Sequence, residues 1–335
     1  MGGEMLETKR IQNDELLDTI RTFAAYLTSK GRKQSTIKRY MYDIEDFIHW
    51  LEKKEKASSN NIWASLCTKD YENYFFELKT IRHYSEKTIH RVFIVLNRLY
   101  QFFQLSNPGM KNPLKEMEMV IQPDRALRTS DFITEQEEHR LKNILSSLEH
   151  LSEKQLPARS LLIDRNISII TLLLDYGLSL QELISLNMHH VHFETNTLSI
   201  PPVSGIARTI TLTIQDKKQL YKYYKIIPEP VRPKYHSDDP LFVAFDFNRN
   251  TYRWVYENDA PKALTEIAVQ KMIRQEVARA GLRKGISGQH FRNTFILRLI
   301  EQEVSEQEII KRVGFKTKLS LKRYYDYAKK NPLTE

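Results

Sequence analysis

With 335 residues, a formal net charge of +9 and one cysteine, the chain is long enough for two domains and excludes an internal disulfide framework or a cysteine-based metal cluster. A composition of 41% hydrophobic and 28% charged residues excludes global disorder, and no apolar run approaches the roughly 20 residues of a membrane span. The basic balance suits a polyanionic partner. Cys67 is expected to be a small core residue in a reducing cytoplasm, and residues 1–10 a flexible arm or an expression remnant.

Residues 11–106 predict a helical domain of four or five helices. Leu16, Ile20, Phe23, Ala24 and Leu27 mark the first, which Gly31 ends; Ile37, Met41, Ile44, Ile48 and Leu51 mark the second. A shorter helix covers Lys69 to Leu78, and Ile89, Val92, Phe93, Leu96, Tyr100 and Phe103 mark a long one. Two helix openings, Gly31 to Tyr40 and Tyr84 to Arg91, combine a hydroxyl residue at the cap with basic side chains. Free backbone N–H groups, the helix dipole and cations together make phosphate donors, so Lys33, Thr36, Lys38, Arg39, Lys87, Thr88 and Arg91 are candidate DNA contacts.

Asn107 to Pro113 breaks the pattern, and residues 107–130 predict an extended polar linker lined by Arg125 and Arg128. A second domain, residues 131–335, opens with Thr134 as helix cap and Glu137 at the capping-box position. Within it, Ile167 to Tyr176 predicts a buried helix and Glu182 to Leu186 starts another. Val191 to Ile200, Thr209 to Ile214 and Pro240 to Phe245 have strand character. Residues 247–262 form a long aromatic connection, either a surface loop or a contact element. Leu264 and Thr265 open a helix with Ile267, Met272, Ile273 and Val277 inward and Lys271 and Arg274 available to DNA. His189, His190 and His192 lack a matching carboxylate and cysteine set and are expected to be structural or surface histidines; no metal or cofactor is expected.

The last stretch, Gly285 to Tyr327, is the most informative. A helix opens near Gln289 with Phe291, Phe295, Leu299 and Ile300 inward and Arg292 in its first turn. Ser305 to Glu308 is a capping-box pattern for a second helix ending at Gly314, and a third, from about Lys318 to Lys329, carries Tyr324, Tyr325 and Tyr327.

Arg292, Gly314 and Tyr324 fall where the tyrosine recombinase (phage integrase) family has its His-x-x-Arg helix start, its Gly-His or Gly-Trp turn and its nucleophilic tyrosine. Tyr176 to Leu183 resembles that family's Gly-Leu-Arg-x-x-Glu-Leu box, with Glu182 kept and Ser179 in place of the arginine. Gln289 stands for the histidine, with His290 displaced by one position, and Phe315 follows the glycine. No lysine occurs between His189 and Asp216, where the family has one on a β-hairpin; Val203, Ser204 and Arg208 lie near that place. The resemblance implies a mainly α fold with a small β-sheet: a helical, SAM-like core-binding domain, whose paired helix starts grip a duplex, and an α/β catalytic-type domain.

The family's chemistry needs a tyrosine attacking a DNA phosphodiester, cations around the phosphate and an acid for the departing 5′ oxygen. Losing one preorganised donor costs about 2.7 to 4 kcal/mol, and losing a general acid roughly 10² to 10⁴ in rate. On these grounds the expectation is a recombinase fold without strand cleavage, Arg292 and Tyr324 being vestigial. The expected function is a sequence-specific binder of double-stranded DNA, a repressor from a phage or mobile element, monomeric or dimeric, able to self-associate on DNA and associated with the nucleoid. Arg208, His290 and Arg292 join its DNA contacts. The alternative is an active, divergent recombinase forming a covalent Tyr324–DNA intermediate, with His290 or Arg208 as substitutes, or an accessory recombination protein.

Overall fold

The computed structural model describes residues 14–54, 62–117, 126–153, 155–203 and 205–331. The expected N-terminal arm, Ser204 and Arg125 lie outside them. The chain separates into two compact units, Met1–Asp124 and Arg125–Glu335.

The first unit is helical: α1 (Asp14–Ser29), α2 (Gln34–Lys53), α3 (Ile62–Ser65), α4 (Thr68–Thr80) and α5 (Glu86–Ser106). Apolar residues three and four apart turn one stripe of each longer helix inward. Phe47 sits at the centre, its ring against Trp50, Trp63, Tyr71 and Tyr74. Polar groups brought into this core are matched. The Tyr71 and Tyr100 hydroxyls lie 2.7 Å apart, and Tyr100 donates to the Trp63 carbonyl at 2.8 Å.

Several details of this unit correct the expectations. Cys67 is exposed, because it is the N-cap of α4 and its neighbour Leu66 takes the buried place. The cap of α2 is Lys33, with no side-chain cap bond, so Ser35 lies within the first turn; the cap of α5 is Ser85, as its sequence implied. The linker stretch begins with a 3-10 turn, Pro113–Glu116, that buries Leu114 in the same core. Helix α3 is too short to leave a periodic signal.

The second unit contains α6 (Glu135–Ser146), α7 (Leu156–Leu174) and α8 (Leu180–Ile184), then strands β1 (Val191–His192), β2 (Thr197–Ile200) and β3 (Arg208–Thr211). The three strands form an antiparallel meander in which Ile200 pairs with Arg208, closing a loop over 201–207. Next come α9 (Ile214–Ile226), β4 (Phe245–Asp246), β5 (Thr251–Tyr252), β6 (Trp254–Val255), β7 (Ala260–Pro261), α10 (Glu266–Arg279), α11 (Gly288–Glu301), α12 (Glu306–Val313) and α13 (Leu319–Lys330).

Here too the sequence pattern misleads in places. Ile214 starts α9, capped by Thr213, where strand was expected. Pro240 to Phe245 forms only isolated bridges and the start of β4, and residues 247–262 fold into two small hairpins. Ile267 is 76% exposed, and Val269 takes the inward place on α10. Among the described residues no helix is long and apolar enough to cross a membrane.

The core of this unit runs through α7, buried along most of its length, and reaches Phe291 on α11. It also encloses an ionic cluster. Arg159 on α7 donates to Glu276 on α10 at 2.5 Å, Asn166 donates to the same carboxylate oxygen at 2.9 Å, and Arg279 pairs with the other oxygen. A smaller core joins Phe132 to Ile296, Leu299, Ile309, Val313, Leu321 and Tyr324, and so ties α11, α12 and α13 into one block.

Candidate active site

The site is assembled around one buried carboxylate. Ser179 and Glu182 form the capping box that starts α8: the Glu182 amide donates to Ser179 Oγ at 3.2 Å, and the Ser179 amide donates to Glu182 Oε2 at 2.8 Å. The carboxylate, fully buried, also accepts from two guanidinium groups. Arg208 Nη1 donates to Oε1 at 2.6 Å and Nη2 to Oε2 at 3.2 Å, while Arg292 Nη1 donates to Oε2 at 3.1 Å. Burial pushes the Glu182 carboxyl up, but the hydrogen bond from Arg208 and the charges of Arg292 and Arg208 outweigh it and hold it below the usual carboxylate range.

Arg292 is the fifth residue of α11, in its second turn where the first was expected, and has several partners. Its Nη1 also donates to the Gly177 carbonyl, its Nη2 donates to the Val313 carbonyl at 2.8 Å, and its guanidinium carbon lies 5.4 Å from the centre of the Phe315 ring. Burial lowers its pKa, and Glu182 opposes that shift; Arg208 adds to it, and nearby Tyr324 opposes it.

Arg208 is the first residue of β3, and the loop before it lies against the turn after α12. The Ile206 amide donates to the Gly314 carbonyl at 3.0 Å. A Cβ on Gly205 would overlap that same carbonyl oxygen, and Gly314 has φ +74°, with Arg208 Nη1 in the space its own Cβ would need. Both glycines are therefore required for the close approach.

Tyr324 lies next to this cluster, fully buried. Its hydroxyl donates to Asn293 Oδ1 at 2.8 Å and accepts from Arg323 Nη2 at 2.9 Å. Asn293 in turn receives Gln289 Nε2 at 2.7 Å and donates to the Asp131 carbonyl at 3.0 Å. Asn293, Arg323 and Gly205 are residues of this cluster that the sequence reading gave no role; the adjacency of Asn293 to Arg292 was the available signal. Tyr325, half-buried, faces away toward Glu306.

His290 does not join the phosphate-facing groups. Its Nδ1 accepts from the Ser287 amide at 3.2 Å, and the ring also bonds to the Ser130 backbone. Burial, with the positive charge of Arg283, pushes the ring below its usual range. It serves as the capping partner of Ser287 at the start of α11. His189 pairs with Asp238 at 2.9 Å and His190 caps the Asn187 amide at 3.0 Å. Among the described residues no group of three or more His, Cys, Asp or Glu could hold a metal ion.

The expected DNA contacts of the first unit fall at two neighbouring helix starts. Arg91 is held by Asp43 through two bonds of 2.9 Å, and Arg39 reaches the same carboxylate at 3.7 Å. Arg91 is thus an ion-pair partner where a solvated phosphate donor was expected. Lys38 and Lys87 are exposed, Lys33 caps α2, Thr36 is half-buried, and Thr88 lies 2.9 Å from the Ser85 hydroxyl. In the second unit Arg128 is exposed, and Lys271 and Arg274 share one exposed face of α10 with Ile267.

This arrangement, cations on a buried carboxylate beside a tyrosine in a three-helix block, accords with the sequence comparisons. A family model described as the phage integrase family matches residues 131–331, and one described as the phage integrase N-terminal SAM-like domain matches residues 20–105. The chain belongs to the phage integrase (tyrosine recombinase) family. It is 22% identical to Tyrosine recombinase XerC of Pediococcus pentosaceus over 95% of this chain and 96% of that protein. It is 22% identical to Tyrosine recombinase XerD of Oceanobacillus iheyensis, covering 81% and 80%. Its fold matches a lambda integrase dimer bound to a COC′ core site, with a TM-score of 0.62 at 14% identity, covering 95% of this chain and 97% of that one.

These findings correct the expectation of a repressor without enzymatic activity. Relatives matched along nearly the full chain carry the name of an enzyme, tyrosine recombinase. The changes at Ser179, Gln289 and Phe315, taken together with the missing lysine, had suggested decay. The fold brings Arg208 onto Glu182 from a different element, which spacing within one motif does not reveal.

Proposed function

We propose that the chain is a site-specific tyrosine recombinase acting on double-stranded DNA in the cytoplasm, with Tyr324 as the nucleophile. The observation that carries this reading is the shared buried cluster of Glu182, Arg208 and Arg292 beside the Tyr324 phenol. Tyr324 Oη attacks phosphorus, the bond to the 5′ oxygen breaks, and the proton lost by the phenol is balanced by one gained at the departing 5′ hydroxyl. The energy of the phosphodiester is kept in the protein–DNA bond, so attack by a second 5′ hydroxyl reseals the strand. Because Tyr324 is buried and doubly hydrogen-bonded, attack requires α13 to shift and free the hydroxyl.

Sequence reading falls to the exposed face of α10. Lys271 and Arg274 provide donors for base edges, and the exposed Ile267 suits contact with a thymine methyl group. Phosphate contacts from Lys33, Lys38, Arg39, Lys87 and Arg128 supply salt-dependent affinity.

The test starts by sequencing host DNA fragments retained by the protein, then building a nicked suicide duplex from the recovered site. The wild-type chain is expected to form a covalent adduct that survives a denaturing gel. Tyr324→Phe is expected to lose the adduct while its DNA affinity stays within about threefold of wild type. A wild-type protein that binds the site tightly and yields no adduct would overturn the proposal.

A further inference from the structure

Resting on the recombinase reading above, we infer that Arg208, the first residue of β3, is a second phosphate-binding cation of the active site, replacing the one that Ser179 cannot supply. Ser179 is uncharged, and its side chain is committed to Glu182 in the α8 capping box. The start of α8 therefore presents no cation to a phosphate. Arg208 reaches the same carboxylate from β3.

Three observations support this assignment. The first is charge: two guanidinium groups, Arg208 and Arg292, share the single Glu182 carboxylate, which leaves an excess of one positive charge in the cluster. A phosphodiester carries the one negative charge that balances it. The second is an unsatisfied donor. The Arg208 side chain is only 4% exposed, yet among the described residues its Nε has no hydrogen-bond partner. A buried N–H of this kind costs stability unless a ligand satisfies it. The third is construction: Gly205 and Gly314 leave room for the loop and for Arg208 Nη1, so the backbone is shaped to bring this guanidinium beside Arg292. Arg208 is sheltered to a similar degree as Arg292, at 4% against 9%.

A cation that stabilises the developing charge on the phosphate is expected to matter through that charge. On the suicide duplex, single-turnover adduct formation by Arg208→Ala is expected to fall by roughly 10² to 10³. DNA affinity and the thermal melt of the variant are measured alongside. The deciding comparison uses the same duplex with a methylphosphonate at the scissile position, which removes the negative charge there. On that substrate the penalty of Arg208→Ala relative to wild type is expected to shrink to about tenfold or less, because there is less charge to stabilise. Arg208→Lys, which keeps the charge and loses the fork, is expected to lie between. An equal penalty on both substrates makes Arg208 a scaffold residue and overturns the inference. So does wild-type-like cleavage of the phosphate by Arg208→Ala. Either result leaves the recombinase proposal standing, since that falls only if the wild-type protein makes no adduct.

Discussion

Glu182 serves two structures at once, capping α8 through Ser179 and neutralising part of the charge on Arg208 and Arg292. Its folded pKa lies below its ordinary value of 4.5, so its contribution to stability is present above that value and is lost as pH falls through the lower, folded one. Glu182→Gln removes the titrating group and leaves two buried guanidinium groups without a counter-charge. Near neutral pH the second unit is therefore expected to lose about 3–5 kcal/mol. Its melting temperature is expected to vary less than wild type as pH is lowered through the acid range, which melts recorded from about pH 7 down to pH 3 would show. Arg292 and Tyr324 were singled out in the sequence through the family resemblance of their helix start and tyrosine positions. Arg208 was legible only as a cation near a hairpin. Its partner lies 26 positions away and on another element.

At the scale of elements, capping chemistry was the most dependable sequence signal. Thr134 and Ser305 take the cap bonds expected of them, and Gly314 ends α12 with φ +74°. These are local interactions, closed within three or four residues, so the sequence contains both partners. Periodicity was less dependable on α10. Ile267 matched the apolar stripe by count, yet Val269 is inward, because the buried face of a two-sided helix depends on which neighbours cover it. Glu276 and Arg279 on the same helix are buried with Arg159 from α7. Glu276→Ala strands two buried guanidinium groups, so it is expected to destabilise the second unit by about 3–5 kcal/mol. Urea unfolding would measure this, with Glu266→Ala on the first turn of α10 as a near-neutral reference.

For the whole molecule, the net charge of +9 and the exposed cations of both units predict strongly salt-dependent DNA binding. If six or more phosphates are contacted, the affinity is expected to fall by about 10³ or more between about 50 and 200 mM salt, as a filter-binding titration would report. Replacing Lys271 on α10 with Met should lower the slope of that dependence by about one if it touches a phosphate, and change the preferred sequence if it touches a base. The sequence by itself determined the helix-rich halves, most caps, and the spacing that links Arg292, Gly314 and Tyr324, because each depends on neighbours along the chain. Tertiary structure alone decided that Arg208 shares Glu182 with Arg292, that His290 is a neutral cap, and that the Tyr324 hydroxyl is held in a buried bond to Asn293. The ion pair of Arg292 with Glu182 joins residues 110 positions apart, and such charges interact strongly only after folding removes the water between them.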